Sequence, residues 1–393
     1  MDMSAYYTSQ DICFTLINDL PEPESFSSLK ILEPSVGSGN FIPLLIEKYK
    51  GVPDVAIDLL DIDEDVLDAL KVLLKSLNIP KNIKINFIHN DFILYNSNKR
   101  YNIVIGNPPF KKIMGDKKML AEYRKDMFNK KTNNLFSFFI EKALSLSDYV
   151  AFITPKSMLS APEFNKTREL LEHKKIIKIV DYGELAFDVK IETISFILDG
   201  KCNEEDLTKI ESYILKETIY VLTQYITPKY FPYWIIYRNK FFDSVTNKLN
   251  FNLFKVFRDR QITKKITKES GKYRVLKSRN LNKNGEIDNI LSYDCFVDDI
   301  SGLQVGKFLN KNNLLIVPNL SYYPRAGFLP KNSIVDGSLA ILIPENQSLR
   351  ITKKQIDYFS TKEFEEFYKI ARQYGTRSLN IDSNSVFFWG LLK

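Results

Sequence analysis

Between Leu29 and Pro155 short apolar runs alternate with segments of helical periodicity, and few folds can bury both. "LKILEPS", "DVAIDLLDID", "IKINFIHND", "YNIVIGN" and "DYVAFITP" read as strands, while "NFIPLLIEKYK", "EDVLDALKVLLKSLN" and "NNLFSFFIEKALSLS" read as helices. A helix between two strands carries the chain back over one face of the sheet, so successive strands run parallel and both faces become covered. The expected fold is therefore α/β, a doubly wound Rossmann-like sheet, with "ETISFILDG" as a late strand.

After about Leu215 the alternation fades, and an aromatic stretch with two prolines, "YITPKYFPYWIIYRNKF", gives way to short strands and Gly and Asn turns. This predicts a boundary between 215 and 230, dividing the chain into a first domain, 1–220, and a mixed α+β second domain, 221–393. One helix is expected there, over "TKKQIDYFSTKEFEEFYKIARQYG". The 393 residues, 44% of them hydrophobic, suffice for two cores.

Composition excludes several function classes. Cys13, Cys202 and Cys295 are far apart and only two histidines exist, so neither a disulfide framework nor a metal cluster is expected. No apolar run reaches ~18 residues and no signal peptide is visible, which predicts a cytoplasmic protein with no membrane partner. The net charge of +7 is unevenly placed. Residues 254–283 hold eleven Lys or Arg against Asp259 and Glu269, a balance of +9 that leaves the rest at −2. Such a patch suits a polyanion, although a solvated charged face is the plainer alternative.

The strand ends carry the chemistry. "EPSVGSGNF" after the first strand is a strand-to-helix turn in which Gly37 and Gly39 let backbone approach a ligand. A third glycine is missing, and Glu33 would repel a pyrophosphate but suit an amino group. Asp61, twenty-two residues past Gly39, stands where a carboxylate can take both ribose hydroxyls. Asp63 is its nearest rival, and either could simply cap the next helix. Asp91-Phe92 repeats the placement after strand three, where an acid and a ring could hold an adenine. An adenosine bearing an amino acid describes S-adenosyl-L-methionine.

Strand four ends in Asn107-Pro108-Pro109-Phe110. The prolines fix φ and donate no hydrogen bond, so the Asn side-chain oxygen and the Pro108 carbonyl can converge on one guest. Two acceptors without an acid suit an exocyclic NH2, with Phe110 stacked on its ring. A proline-stopped strand is the bland reading of the tetrapeptide alone, but it does not explain three further acidic strand ends at the same edge.

"YYTSQDICFTLINDL", "ILEPSVGSGNF", "LLDIDEDVL", "HNDFIL" and "GNPPF", in that order, resemble the S-adenosylmethionine-dependent DNA adenine-N6 methyltransferases of the gamma class, the TaqI-like group of restriction-modification systems. "NNLFSFFIEKAL", "AFITPKSML" and "GELAFDVKIETISFIL" resemble that family's later motifs, so the likeness covers roughly residues 5–200. It implies a site-specific methyltransferase acting on a flipped adenine in duplex DNA. Thr8 and Glu33 would face the methionine end of the cofactor, Asp61 the ribose, and Asp91 with Phe92 the adenine; Pro34, Gly37, Gly39 and Ile62 would complete that site. Asn107 and Pro108 would bind the target amine, Pro109 would fix their geometry, and Phe110 and Phe187 would take the two faces of the base. Phe187 has a plainer reading as a core aromatic. Phe110 stands where Tyr is commoner in the family.

By the same likeness the second domain would read the target sequence, with Arg258, Arg260, Lys264, Lys265, Lys277, Arg279 and Arg325 against DNA. With the first motif at Tyr6, no fused nuclease is expected ahead of it; a separate restriction endonuclease is the expected partner, if there is one. RNA or protein-glutamine methylation, or a catalytically inactive DNA-binding specificity module, are the alternatives, since NPPF alone also occurs in RNA and protein-glutamine enzymes.

Overall fold

The computed structural model describes residues 8–96, 98–172, 174–200, 207–320, 323–375 and 380–393. The chain forms two compact units, Met1–Pro228 and Lys229–Lys393.

The first unit is built on one nine-stranded sheet: β1 (Leu29–Glu33), β2 (Val55–Asp61), β3 (Ile83–His89), β4 (Tyr101–Gly106), β5 (Ser147–Pro155), β6 (Lys175–Gly183), β7 (Thr193–Asp199), β8 (Leu207–Ser212) and β9 (Glu217–Leu222). Their order in space is β3-β2-β1-β4-β5-β7-β6-β8-β9. Strands β1 to β5 pair in parallel, with Glu33 opposite Leu59, Asp61 opposite His89 and Ile31 opposite Ile103. The chain order reverses between β1 and β4, and at such a switch point the loops leaving the two strands diverge and open a crevice. Helices α1 (Gln10–Asn18), α2 (Ile42–Tyr49), α3 (Glu64–Leu74), α4 (Lys117–Tyr123), α5 (Leu135–Leu146), α6 (Asn165–Leu171) and α7 (Thr223–Ile226) complete the unit. One core gathers Leu45, Tyr49, Leu67 and Leu70 of α2 and α3 with Ile31, Ile57 and Ile103 of the sheet.

This is the Rossmann-like α/β architecture expected, with one departure. The late strand, β7, runs antiparallel between β5 and β6, so the sheet is mixed rather than wholly parallel. Strands β6, β8 and β9 had no place in the expected alternation. "KIIKIVDYG" is interrupted by lysines, yet Lys178 is buried, because its ammonium meets Glu211 at 2.9 Å and Asp19. A charged residue that the fold neutralises hides a core strand from a reading by hydrophobicity.

Among the described residues the second unit holds three small sheets: β11 (Phe254–Arg258), β17 (Leu339–Pro344), β14 (Leu315–Pro318) and β15 (Gly327–Phe328) in one, β13 (Cys295–Val297), β12 (Tyr273–Leu276) and β16 (Ser333–Val335) in another, and the pair β10 (Leu249–Asn250) and β18 (Leu391–Leu392). Helix α8 (Lys240–Thr246) precedes them. The one helix expected over 352–375 is two, α9 (Lys353–Tyr358) and α10 (Lys362–Ala371). Each has its own start signal: the Thr352 hydroxyl accepts from the Gln355 N–H at 3.3 Å and the Thr361 hydroxyl from the Phe364 N–H at 3.2 Å. Among the described residues, no helix is long and apolar enough to cross a membrane.

Candidate cofactor and target-amine site

The carboxyl ends of β1, β2, β3 and β4 bring Glu33, Asp61, Asp91 and Asn107 to one edge of the sheet, where two cavities lie. One, about 200 Å³, is lined by Thr8, Glu33, Gly37, Asn40 and the Asn107–Phe110 tetrapeptide. The other, about 100 Å³, is lined by Pro34, Ile62, Asp91, Phe92, Tyr123 and Phe139. Ser35 and Asp61 line both, so the two share a wall and could hold two ends of one ligand.

Asp61 is fixed from two sides. Its Oδ2 accepts from the Gly37 N–H at 3.1 Å and its Oδ1 from the Asp63 N–H at 3.1 Å. The helix-capping duty belongs to Asp63, whose Oδ1 accepts from the Asp65 N–H at the start of α3. Asp63 thus caps α3, while Asp61 is held against the glycine turn. Gly37 adopts φ +50° to present its N–H. Gly39, at φ +72°, answers a packing demand: a Cβ there would meet Leu70 at 2.6 Å and Ile42 at 2.9 Å.

Glu33 is a strongly perturbed group of the site. Its side chain is buried, and among the described residues its Oε2 has no hydrogen-bond partner. Burial first, and the nearby Asp61 charge second, hold its carboxyl well above the usual range. An unsatisfied buried carboxylate is costly to keep, and a cationic donor would relieve both terms.

Asp91 is held by the Ile93 N–H at 2.9 Å and by the hydroxyl of Tyr123, at the end of α4. Burial and this bond raise the Tyr123 pKa, so the phenol stays protonated as a donor. Phe92 is buried beside Phe139, their ring centroids 4.9 Å apart, and the two form an aromatic wall to the smaller cavity. Sequence reading did not find Tyr123 or Phe139. Tyr123 lies 32 residues beyond Asp91, within the polar "KKMLAEYRKD", where nothing local marks it.

Asn107 donates from Nδ2 to the Thr8 hydroxyl at 3.1 Å, and Asn40 donates to the Thr8 carbonyl at 2.6 Å. The first bond fixes the amide's orientation, with nitrogen toward Thr8 and oxygen as the acceptor end. Ser35 Oγ donates to the Asn107 carbonyl at 3.3 Å, tying the tetrapeptide to the turn after β1. Phe110 and Phe187 meet edge to face, centroids 5.9 Å apart and planes at 73°. A base between them would require the rings to part.

In the second unit the predicted contacts have different surroundings. Arg260, Lys264, Lys265 and Arg279 are exposed. Arg258 is half-buried, and burial and its neighbour Arg260 lower its pKa. Lys277 and Arg279 both lie over the Tyr293 ring, at 3.8 and 4.8 Å. Arg325 donates to the Leu281 carbonyl at 2.7 Å and the Ser278 carbonyl at 2.9 Å, bracing the loop after β12.

Residues 52–187 match the model of the Eco57I restriction-modification methylase family. The matched stretch begins just before β2 and ends at Phe187, so it includes Asp61, Asp91 and the Asn107–Phe110 tetrapeptide. Among solved structures, the type IIL restriction-modification enzyme MmeI, in complex with DNA, is similar at 13% identity and a TM-score of 0.52, over 98% of this chain and 65% of its own. A type I restriction-modification methyltransferase subunit from Streptococcus thermophilus is similar at 16% identity and a TM-score of 0.44, over 53% of this chain and 47% of its own. The EcoKI M protein gives 16% and 0.39, over 53% and 48%. The chain spans 64%, 47% and 53% of the length of three of the solved structures it matches. No curated protein sequence matches it significantly. The likeness to MmeI is one of fold, with the Rossmann-like α/β sheet of the first unit within the part covered.

Proposed function

We propose that the chain transfers a methyl group from S-adenosyl-L-methionine to the N6 amine of an adenine flipped out of duplex DNA, at a specific sequence. The observation that carries this reading is the pair of cavities that share Ser35 and Asp61 as lining, with Glu33 and the Asn107-Pro108 acceptors lining the larger and Asp91 the smaller. The residues fit the cofactor. Glu33 offers a buried, unsatisfied oxygen to an ammonium, Asp61 a preset carboxylate to a ribose, and Asp91 with Phe92 an acceptor and a ring to an adenine.

When bound, the cofactor supplies an electrophilic methyl on sulfonium. The protein's part is placement and hydrogen bonding. The amine of adenine is a weak nucleophile because its lone pair is shared with the ring. Asn107 Oδ1 and the Pro108 carbonyl accept its two protons, which favours the pyramidal, reactive nitrogen and aims the lone pair. Held there, the nitrogen would take the methyl in line as the sulfonium leaves as a neutral thioether, and the methylated amine would release one N6 proton to water, with Asn107 and Pro108 keeping it in place. Phe110 and Phe187 hold the extruded ring by stacking, worth ~1–3 kcal/mol per base. A cytoplasmic setting, and a separate endonuclease as a partner, are compatible with this reading.

The reading is tested by incubating purified protein with S-adenosylmethionine and unmodified genomic DNA, then mapping modified adenines by single-molecule sequencing. One enriched motif with N6-methyladenine is the expected result; methylated RNA or glutamine with unmodified DNA would overturn it.

The second unit is proposed as the target-recognition domain, with 254–283 toward phosphates. Binding to duplex DNA should then weaken with salt at a log–log slope of about −0.9 per phosphate contact. Lys264→Gln with Lys265→Gln should flatten that slope by about two and weaken specific and non-specific DNA alike, with cofactor affinity unchanged. An unchanged slope and affinity would make these lysines solvated surface.

A further inference from the structure

The chain does not turn straight into α5 after Phe110. It first makes an excursion, and between 111 and 131 this carries eight Lys or Arg against Asp116, Glu122 and Asp126. The two ends of the excursion are pinned to each other. The Ile113 N–H donates to the Asn133 carbonyl at 2.8 Å and the Leu135 N–H to the Lys111 carbonyl at 3.0 Å, around a bridge between Lys112 and Asn134. Farther along, Arg124 donates to the Thr132 carbonyl at 2.9 Å, and Glu141 of α5 accepts the Asn129 N–H at 3.1 Å. Tyr123 ties it to Asp91. It is therefore a built element that joins the amine edge to the adenine end of the cavities.

Its outer face has a chemistry that this fastening does not use. Lys117, Lys118, Lys125 and Lys130 are all exposed, and so are Phe128 at 51% and Met114 at 80%. Met114 sits next to buried Ile113 and just before Gly115, whose φ of +80° turns the chain sharply, so the thioether stands at an apex four residues beyond Phe110. Cations around a protruding apolar side chain complement phosphates around a base stack.

We propose that residues 111–131 form a second DNA-contacting surface, in the catalytic unit, where these lysines hold phosphates beside the target and Met114 enters the stack in the space the adenine vacates. This rests on the DNA-adenine reading above. An adenine cannot leave a duplex without opening a gap, and an unbranched, polarizable side chain is suited to fill it.

The test uses the full chain and a duplex carrying the motif found by mapping, with the target adenine, or 2-aminopurine in its place, either paired normally or mispaired. Met114→Ala should cut turnover and the 2-aminopurine fluorescence rise roughly tenfold on the paired duplex but leave the mispaired one near wild type, because extrusion is cheapest for a mismatched base. Lys117→Gln with Lys118→Gln should flatten the salt slope by about two with cofactor affinity intact. Equal losses on both duplexes would overturn the wedge, and an unchanged slope would overturn the phosphate surface, as would an acidic protein whose binding these lysines govern while DNA binding is untouched. Wild-type protein that methylates no DNA would instead sink the underlying reading.

Discussion

Replacing Asn107 by alanine is expected to slow methyl transfer roughly tenfold or more, about 1.4 kcal/mol, with little change in affinity for DNA or S-adenosylmethionine. Asn107 follows the last residue of β4, and Pro108 and Pro109 fix the backbone beyond it, so its position is inherited from the sheet. Its side chain is aimed by the hydrogen bond from Nδ2 to Thr8. An acceptor of this kind matters most when the amine nitrogen becomes pyramidal, so its loss should appear in the chemical step. Single-turnover rates with labelled cofactor separate that step from binding. Thr8→Val should show part of the same defect, since it removes the group that orients the amide. Loss of cofactor binding with unchanged single-turnover chemistry would assign Asn107 to the wrong half of the site.

The tetrapeptide was legible in the sequence because its signal is local: an apolar strand stopped by an amide and two prolines. The same holds for Glu33, Asp61 and Asp91, each just after an apolar run. Their convergence follows from the parallel sheet alone, which aligns the carboxyl ends of neighbouring strands. Local pattern could not separate Asp61 from Asp63, two residues apart; that took the hydrogen bonds to Gly37 and Asp65. Tyr123 was invisible because its meaning lies in a partner 32 residues away.

Charge misleads more than hydrophobicity in this chain. Lys178 hides an interior strand of the sheet, and Arg325, expected against DNA from its charge, also braces the carbonyls of Ser278 and Leu281. The segment after Phe110 escapes notice for another reason. Its three acids reduce eight cations to a balance of +5 over 111–131, and the larger excess at 254–283 draws attention away from it. Only the fold ties that segment back to Asp91, through Tyr123.

Affinity for S-adenosylmethionine is expected to rise with pH through the range in which Glu33 ionises, and Glu33→Gln should abolish that dependence. In the protein without ligand, burial and the Asp61 charge raise the Glu33 pKa. An ammonium against Oε2 would stabilise the carboxylate, so binding releases a proton whenever the pH lies below the raised value and above the value in the complex. Calorimetry in two buffers of different ionisation enthalpy counts that proton. At higher pH the variant should bind roughly ten- to a hundredfold more weakly, since hydrogen bonds to charged groups contribute about 1.5–3 kcal/mol. The sign for stability is opposite. A carboxyl whose folded pKa is raised binds more protons folded than unfolded above the ordinary Glu value, so the ligand-free protein loses stability as pH rises from there to the raised pKa. Glu33→Gln removes that loss, and its ligand-free melting temperature should exceed wild type at the upper end of this window while cofactor no longer raises it appreciably. A variant that binds the cofactor like wild type, with the same proton release, would show that Glu33 does not meet the amino group.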